Sequence, residues 1–199
     1  MLVSKGYVET FIKNLKVKGT SIGSRYTDAN FLRDEVSVNF GETCRALRDD
    51  GNFAGRFLIW IPYDEYGGID GINPATDTLF KEGLVYEADV LGSSNKAQAE
   101  FFLWKDAKFT EEQYRQWFGK RKPCIKGSDS HNVNDELGKL KDQHSQPTDK
   151  YCWIKADPTF NGLRQIINEP EDRVYIGRIP PKLEEVRRNT TRYLSHIHV

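Results

Sequence analysis

Long apolar runs are missing from this sequence, and that absence sets the first limit on what it can be. No stretch approaches the roughly 20 apolar residues of a membrane-spanning helix. Met1-Leu2-Val3-Ser4-Lys5-Gly6 also lacks the apolar centre of a secretion signal, so the expected compartment is the cytoplasm, with no membrane partner. A surplus of one charge is missing too. Twenty-nine basic residues meet twenty-nine acidic ones, so no global field favours nucleic acid or an anionic surface, and any such binding must be local. Cysteine is scarce: Cys44, Cys124 and Cys152 are odd in number and far apart, which suits reduced thiols better than a disulfide framework. Cys124 and Cys152 have the chemistry of zinc ligands, but their apolar neighbours favour buried packing. No Gly-x-x-x-x-Gly-Lys-Ser/Thr loop occurs, so the chain is not expected to hydrolyse ATP alone.

What is present suits a globular α/β fold. The 199 residues are 38% hydrophobic and 12% aromatic, enough for one substantial core, or a core with an appendage. Ser4 is placed to cap a helix whose Tyr7, Val8, Phe11, Ile12 and Leu15 share a face and which stops at Lys18-Gly19. Residues 20–34 read as polar and irregular. Asn39 with Glu42, Asn95 with Gln98, and Thr110 with Gln113 have capping-box spacing and predict three helix starts. Phe57-Leu58-Ile59-Trp60-Ile61 is a continuous apolar run of the kind covered on both faces in a parallel sheet. Residues 84–91 predict a second strand, Pro123-Cys124-Ile125-Lys126 a third and Tyr151-Cys152-Trp153-Ile154-Lys155 a fourth. Alternation of this kind argues for parallel strands joined by helical crossovers. Residues 132–150 read as a polar excursion with some helix around Asp135 to Leu140. Asp157-Pro158 predicts a helix start, residues 173–177 a short strand, and Ile179-Pro180-Pro181 a stiff connector.

The chemistry concentrates in Gly127-Ser128-Asp129-Ser130-His131-Asn132, which follows the third strand at its C-terminal end, where α/β barrels place their active sites. In an extended segment Asp129 and His131 lean to the same side. Carboxylate oxygen and neutral imidazole nitrogen together suit Zn, Mn or Fe, and a divalent metal makes water nucleophilic near neutral pH and polarises a phosphoryl oxygen. Hydrolysis is the expected reaction class. Set against this, Ser128 or Asp129 would cap a turn and His131 would be an ordinary surface histidine.

These residues also carry a resemblance. Gly127-Ser128-Asp129-Ser130-His131 resembles the last metal-binding motif of the PHP (polymerase and histidinol phosphatase) phosphoesterase family. The run from Cys152 to Ile167, with Glu169-Pro170, resembles the end of the PHP module in TrlF-type proteins, where an ABC-like ATPase domain follows. The stretches around Phe57 to Pro62 with Gly67-Gly68, and around Ala88 to Asn95, are compatible with it, so the similarity spans most of the chain. It implies the C-terminal portion of a distorted (β/α)7 barrel over residues 1–178, with residues 179–199 a connector and the beginning of a following domain or a tail. It further implies Asp129 and His131 as metal ligands and catalytic residues; where the family usually has a histidine this chain departs, and Asp64 or Glu65 there is either a substitute oxygen ligand or part of a solvated acidic turn. Asn132, Lys126 and Asn95 are the expected substrate contacts. The family's first His-x-His would lie upstream of Met1, since the first fifty residues contain no histidine. His196-Ile197-His198 has that pattern, but its place after Pro180-Pro181 resembles the opening strand of the ATPase domain.

The expected activity is hydrolysis of nucleotide or nucleic-acid phosphoesters by a divalent-metal centre, with an ATPase in cis or in trans. Two alternatives stand beside it. One is a catalytically silent scaffold whose helix from Thr110 to Lys122 offers Arg115, Lys120, Arg121 and Lys122 beside Trp117 and Phe118 to a partner or nucleic acid. The other is a homo-oligomer in which an open barrel edge pairs with a second copy.

Overall fold

The structure is a computed structural model that describes residues 5–17, 20–36, 39–64, 68–128, 130, 132–134, 136–142, 146–189 and 191. The chain forms two compact units, residues 1–58 and residues 59–199.

In the first unit the apolar spacing near the N-terminus makes α1, Lys5–Asn14, and Phe11 meets Phe53 with ring centroids 5.2 Å apart. Two short strands, β1 (Lys16–Val17) and β2 (Thr20–Ser21), pair antiparallel. The stretch expected to be irregular instead contains a 3₁₀ turn, Gly23–Thr27, and α2, Ala29–Glu35. The cause is Asp28, whose carboxylate accepts from the Phe31 amide at 3.0 Å and starts the helix. Asn39 acts as its spacing predicts: its side-chain oxygen accepts from the Glu42 amide at 3.0 Å and opens α3, Phe40–Asp49, with Cys44 buried.

The second unit is built on a parallel sheet of β3 (Trp60–Pro62), β4 (Val90–Gly92) and β5 (Cys124–Ile125), in that spatial order. Trp60 aligns with Val90, Pro62 with Gly92, and Gly92 with Ile125, so the three strands end level with one another. Between β3 and β4 runs α4, Pro74–Glu87, opened by the Asn73 side chain and kinked at Asp77. Between β4 and β5 lie α5 (Lys96–Phe102) and α6 (Glu111–Phe118). Asn95 caps α5 through the Ala97 and Gln98 amides, and Thr110 and Gln113 close a full capping box on α6. Phe101, Phe102, Tyr114 and Phe118 pack edge to face or tilted, with centroids 5.3 to 6.4 Å apart, under the sheet's crossover.

The strand expected over residues 84–91 is shorter than its sequence suggests. Leu84 to Glu87 is the last turn of α4, and the strand is confined to Val90–Gly92. What ends the helix there is remote in sequence: the Lys122 ammonium donates to the carbonyls of Tyr86 at 2.9 Å and Ala88 at 2.6 Å. A cation there also answers the negative end of the helix dipole. Lys122 itself is 0% exposed.

A second departure lies past β5. The fourth and fifth expected strands do not extend the parallel sheet. They form an antiparallel one, β6 (Lys139–Lys141), β7 (Pro147–Ile154) and β8 (Val174–Gly177). The fold is therefore mixed α/β, with three parallel strands rather than a run of parallel strands. β6 occupies part of the stretch expected as helix around Asp135 to Leu140. Its Lys-Leu-Lys alternation buries Leu140 to 2% and turns both lysines the other way. Asp135, like Asp129 and His131, lies outside the described residues.

The chain then turns into α7 (Phe160–Arg164), α8 (Pro170–Arg173) and α9 (Pro181–Arg188). Thr159, not Asp157, caps α7, its hydroxyl accepting from the Gly162 amide at 3.0 Å. Asp157 is instead folded over Gly162, where an added Cβ would lie 2.3 Å from its carbonyl oxygen. The expected Pro180-Pro181 connector becomes a helix start, because the fixed φ of a proline suits the first helical position. Among the described residues no helix is long and apolar enough to cross a membrane.

Because Lys122 satisfies two carbonyls in a dry environment, Lys122→Ala is expected to lower stability by about 3 kcal/mol or more, through lost hydrogen bonds and an unfilled stem cavity. Lys120→Ala, which breaks the partly exposed pair with Asp89, should cost about 1 kcal/mol or less. Urea unfolding midpoints of the two variants check both values, and equal midpoints would contradict this account.

Candidate functional site

The level ends of the parallel strands deliver three chain segments to one edge of the sheet. β3 runs into Tyr63 and Asp64, β4 into Ser93, Ser94 and Asn95, and β5 into Lys126, Gly127 and Ser128. Backbone bonds continue past the strands: the Tyr63 amide donates to Gly92 at 2.9 Å, and the Ser93 amide to Ile125 at 3.2 Å. The polar residues at the exits thus begin from fixed positions. Ser93 is 0% exposed, and its hydroxyl donates to Gln98 Oε1 at 2.7 Å while accepting from the Asn95 amide at 3.0 Å. It pins the turn between β4 and α5, a role that its position in Gly92-Ser93-Ser94-Asn95 did not distinguish from a plain loop.

The electrostatics of this edge are set by burial and by Asp64. The Tyr63 phenol is pushed up to about 12, mainly by burial and then by Asp70, Cys124 and Asp64. The Cys124 thiol is likewise pushed up to about 12 by burial, then by Asp64 and Cys152. Cys152 is raised by burial, with the Lys126 backbone working weakly the other way. Asp64 and Cys152 therefore each lie near Cys124, and the antiparallel sheet meets the parallel one at this point. All three cysteines are free thiols.

The expected site residues divide as follows. Asp64 stands exposed at the sheet edge, one residue past Tyr63. Lys126 and Asn132 are on the segment leaving β5, half-buried and exposed respectively. The Asn95 carbonyl is committed to capping α5, which leaves its amide group as the donor it can offer. Glu65, Asp129, His131, His196 and His198 lie outside the described residues. The residues flanking Asp129 are described: Ser130 donates its hydroxyl to that of Ser128 at 3.0 Å. Among the described residues no three His, Cys, Asp or Glu side chains converge as a metal-binding group.

The basic surface expected along Thr110 to Lys122 needs correction at Phe118, which is buried in the aromatic cluster, and at Lys122. Lys122 is fully enclosed under α4 and is not part of any surface, because the carbonyls at a helix end bind an ammonium more firmly than a basic patch would hold it in water. Arg121 and Arg115 instead flank the Trp104 ring, at 4.9 and 5.6 Å from its centroid. That ring lines a cleft of about 530 Å³ shared with Glu171 and Asp172.

A second group of residues escaped the sequence reading. Lys139, Lys141, Asn134 and Glu136 line a cavity together with Ser130. The period-two Lys-Leu-Lys pattern was the available signal, and it was masked by the polar composition around it.

With its thiol pushed up to about 12, Cys124 holds almost no thiolate at pH 8, and burial raises Cys152 in the same direction. Iodoacetamide is expected to leave both unmodified in the folded protein and to label them on unfolding in guanidinium, as peptide mass mapping would show. Rapid native labelling of Cys124 would contradict its placement under the sheet edge. No protein-family model, curated protein or solved structure matches the chain.

Proposed function

We propose that this chain carries the C-terminal portion of a PHP-type metal-dependent phosphoesterase, a segment of a distorted (β/α)7 barrel that works in the cytoplasm with an ABC-like ATPase in cis or in trans. The observation that supports it most is the level parallel triplet β3, β4 and β5. It presents Asp64, the turn at Ser93 to Asn95, and the segment leading into Asp129 and His131 at one C-terminal edge, the edge that α/β enzymes use for chemistry.

In this reading Asp129 and His131 hold a divalent Mn, Zn or Fe ion, with Asp64 and Glu65 as further carboxylate oxygens, a donor set that suits those metals. The bound metal supplies Lewis acidity, which makes water reactive near neutral pH and polarises a phosphoryl oxygen. The residues of the chain do the positioning. Lys126 offers a point charge, and Asn132 and Asn95 offer amide hydrogens to the nonbridging oxygens of a nucleotide or nucleic-acid phosphoester. Ser93 holds the β4 turn rigid, and Tyr63 remains a neutral phenol beside Asp64 across the physiological range.

A silent PHP-like scaffold is the second reading, favoured by the Trp104 cleft with its two arginines, which resembles a recognition surface more than a reaction centre. Metal content separates the two. After manganese or zinc loading and dialysis, mass spectrometry is expected to find about one metal per chain in the wild-type protein, lost in Asp129→Ala/His131→Ala. No retained metal in either protein would overturn the phosphoesterase reading and leave the scaffold.

A further inference from the structure

Trp104 occupies a backbone position that suits glycine. Helix α5 ends in two backbone bonds, from the Trp104 amide to the Phe101 carbonyl and from the Lys105 amide to the Glu100 carbonyl, both at 2.9 Å. That pattern turns the residue after the cap left-handed, and glycine commonly fills it because it has no Cβ to strain. Trp104 stands there at φ 64°, the one non-glycine residue with positive φ among the described residues. A bulky side chain in this conformation is an outlier, and such strain gathers at ligand clamps and functional sites. The same side chain is unfavourable in a second way. Its Nε1 is buried without a hydrogen-bond partner, the one such side-chain atom among the described residues, whereas buried donors are nearly always satisfied.

The indole lines the cleft of about 530 Å³, a volume within the range of ligand sites. Arg121 in its wall is two residues before β5 begins, at Lys122 and Pro123, so the cleft lies toward the strand starts and away from the exits that carry the proposed chemistry. Most of its charged groups are already paired: Arg115 with Glu111 at 2.8 Å, Arg121 with Glu171 at 3.4 Å, Lys120 with Asp89 at 2.7 Å and Glu169 with Arg173 at 2.7 Å. Three polar groups of the wall find no side-chain partner among the described residues: Trp104 Nε1, the Asn168 amide and the Asp172 carboxylate. One donor, one amide and one acceptor match the alternating carbonyl and N–H groups of a peptide main chain. A nucleobase has similar edges but binds chiefly by stacking, and the indole faces are engaged. Tyr114 lies parallel to the ring with centroids 5.9 Å apart, and the Arg121 and Arg115 guanidinium groups lie over it at 4.9 and 5.6 Å.

We propose that the Trp104 cleft docks an uncharged, extended peptide segment of a partner protein, whose main-chain carbonyl accepts from Trp104 Nε1 while its neighbouring N–H groups donate to Asn168 and Asp172. Ile167 and Pro170 form the apolar part of the wall, and a tryptophan with a satisfied edge is a common anchor of such contacts. Nε1 is covered in the free chain, so docking includes a shift of the exposed Arg115 and Arg121 side chains that flank the ring. This docking is independent of the phosphoesterase reading, since it uses no residue of that site.

The test uses the full chain labelled with ¹⁵N-tryptophan, in which Trp104→Phe identifies one of the four indole N–H resonances. If that variant does not fold, substituting Trp60, Trp117 and Trp153 in turn assigns the resonance by elimination. The probe is a pool of short acetylated and amidated peptides built only from uncharged residues, titrated to millimolar concentration. The Trp104 resonance is expected to move downfield as a carbonyl accepts from it, with an affinity that changes about two-fold or less between low and high salt, because no ion pair forms. Asn168→Ala/Asp172→Ala, at two exposed positions, is expected to weaken binding about ten-fold through two lost hydrogen bonds. A Trp104 resonance that the peptides leave unmoved would overturn the proposal, as would unchanged affinity in the double variant. A mixture of nucleosides that moves the resonance as far as the peptides do would assign the cleft to a base instead. Loss of peptide binding at high salt would show ionic recognition and equally sink the uncharged peptide.

Discussion

The Lys122 ammonium, enclosed between the end of α4 and the start of β5, is the interaction on which the parallel sheet depends. Removing an ammonium group from water costs several kcal/mol, which only close and well-directed acceptors recover. Here the acceptors are the carbonyls of Tyr86 and Ala88, at a helix terminus whose dipole adds to the attraction. The bond therefore has little tolerance for displacement. It couples the end of α4 to the residue that leads into β5, while the Lys122 amide donates to the Phe102 carbonyl at the end of α5. Asp89 repeats the pattern beside it, one carboxylate oxygen accepting from the Ile59 amide and the other from Lys120. Both ties lie where the strands begin.

That placement decides what the other end of the sheet is free to do. With α4, α5 and the strand starts fixed by polar contacts, the strands need only two or three residues each to reach a common level. Their exits then carry polar, Gly-rich segments that the core does not need. Asp64, the Ser93 turn and the segment from Lys126 are held at the root and open at the tip. Burial keeps Cys124, Cys152 and Tyr63 protonated just beneath, so charge at this edge comes from carboxylates and lysines rather than from thiolates. Stability at one end and adaptable chemistry at the other is how α/β folds separate the two demands.

The features legible in the sequence are those set by short-range bonds. Asn39, Asn95 and Thr110 cap helices because a side-chain oxygen and an amide two or three residues on need nothing else to meet. Apolar runs marked β3 and β5, and the polar residues after them marked the exits. Reading failed where the deciding partner was distant or the local signal was weak. Leu84 to Glu87 has a strand-like composition, but α4 continues through it to an end set by a lysine 34 residues beyond Ala88. Thr159 displaced Asp157 as a cap because Gly162 lets the chain fold back on Asp157 itself. The antiparallel pairing of β7 with β8 was hidden because a lone strand sequence does not state its direction. Of the candidate site, Asp64 and the flanks of Asp129 are placed at the sheet edge, whereas the cavity beside Ser130 required knowing that β6 is a strand.

The lysines show why residue type alone does not locate a binding surface. A basic run at residues 120–122 is dense in charge, yet Lys122 is buried against carbonyls, Lys120 is paired with Asp89, and Arg121 meets Glu171 at 3.4 Å. Its charge is already answered within the fold. On β6 the lysines are separated by a buried leucine, and Lys139 is paired with Glu136 at 2.9 Å. A charge that the fold has already answered has little left for a ligand, because the ligand must first displace the internal partner.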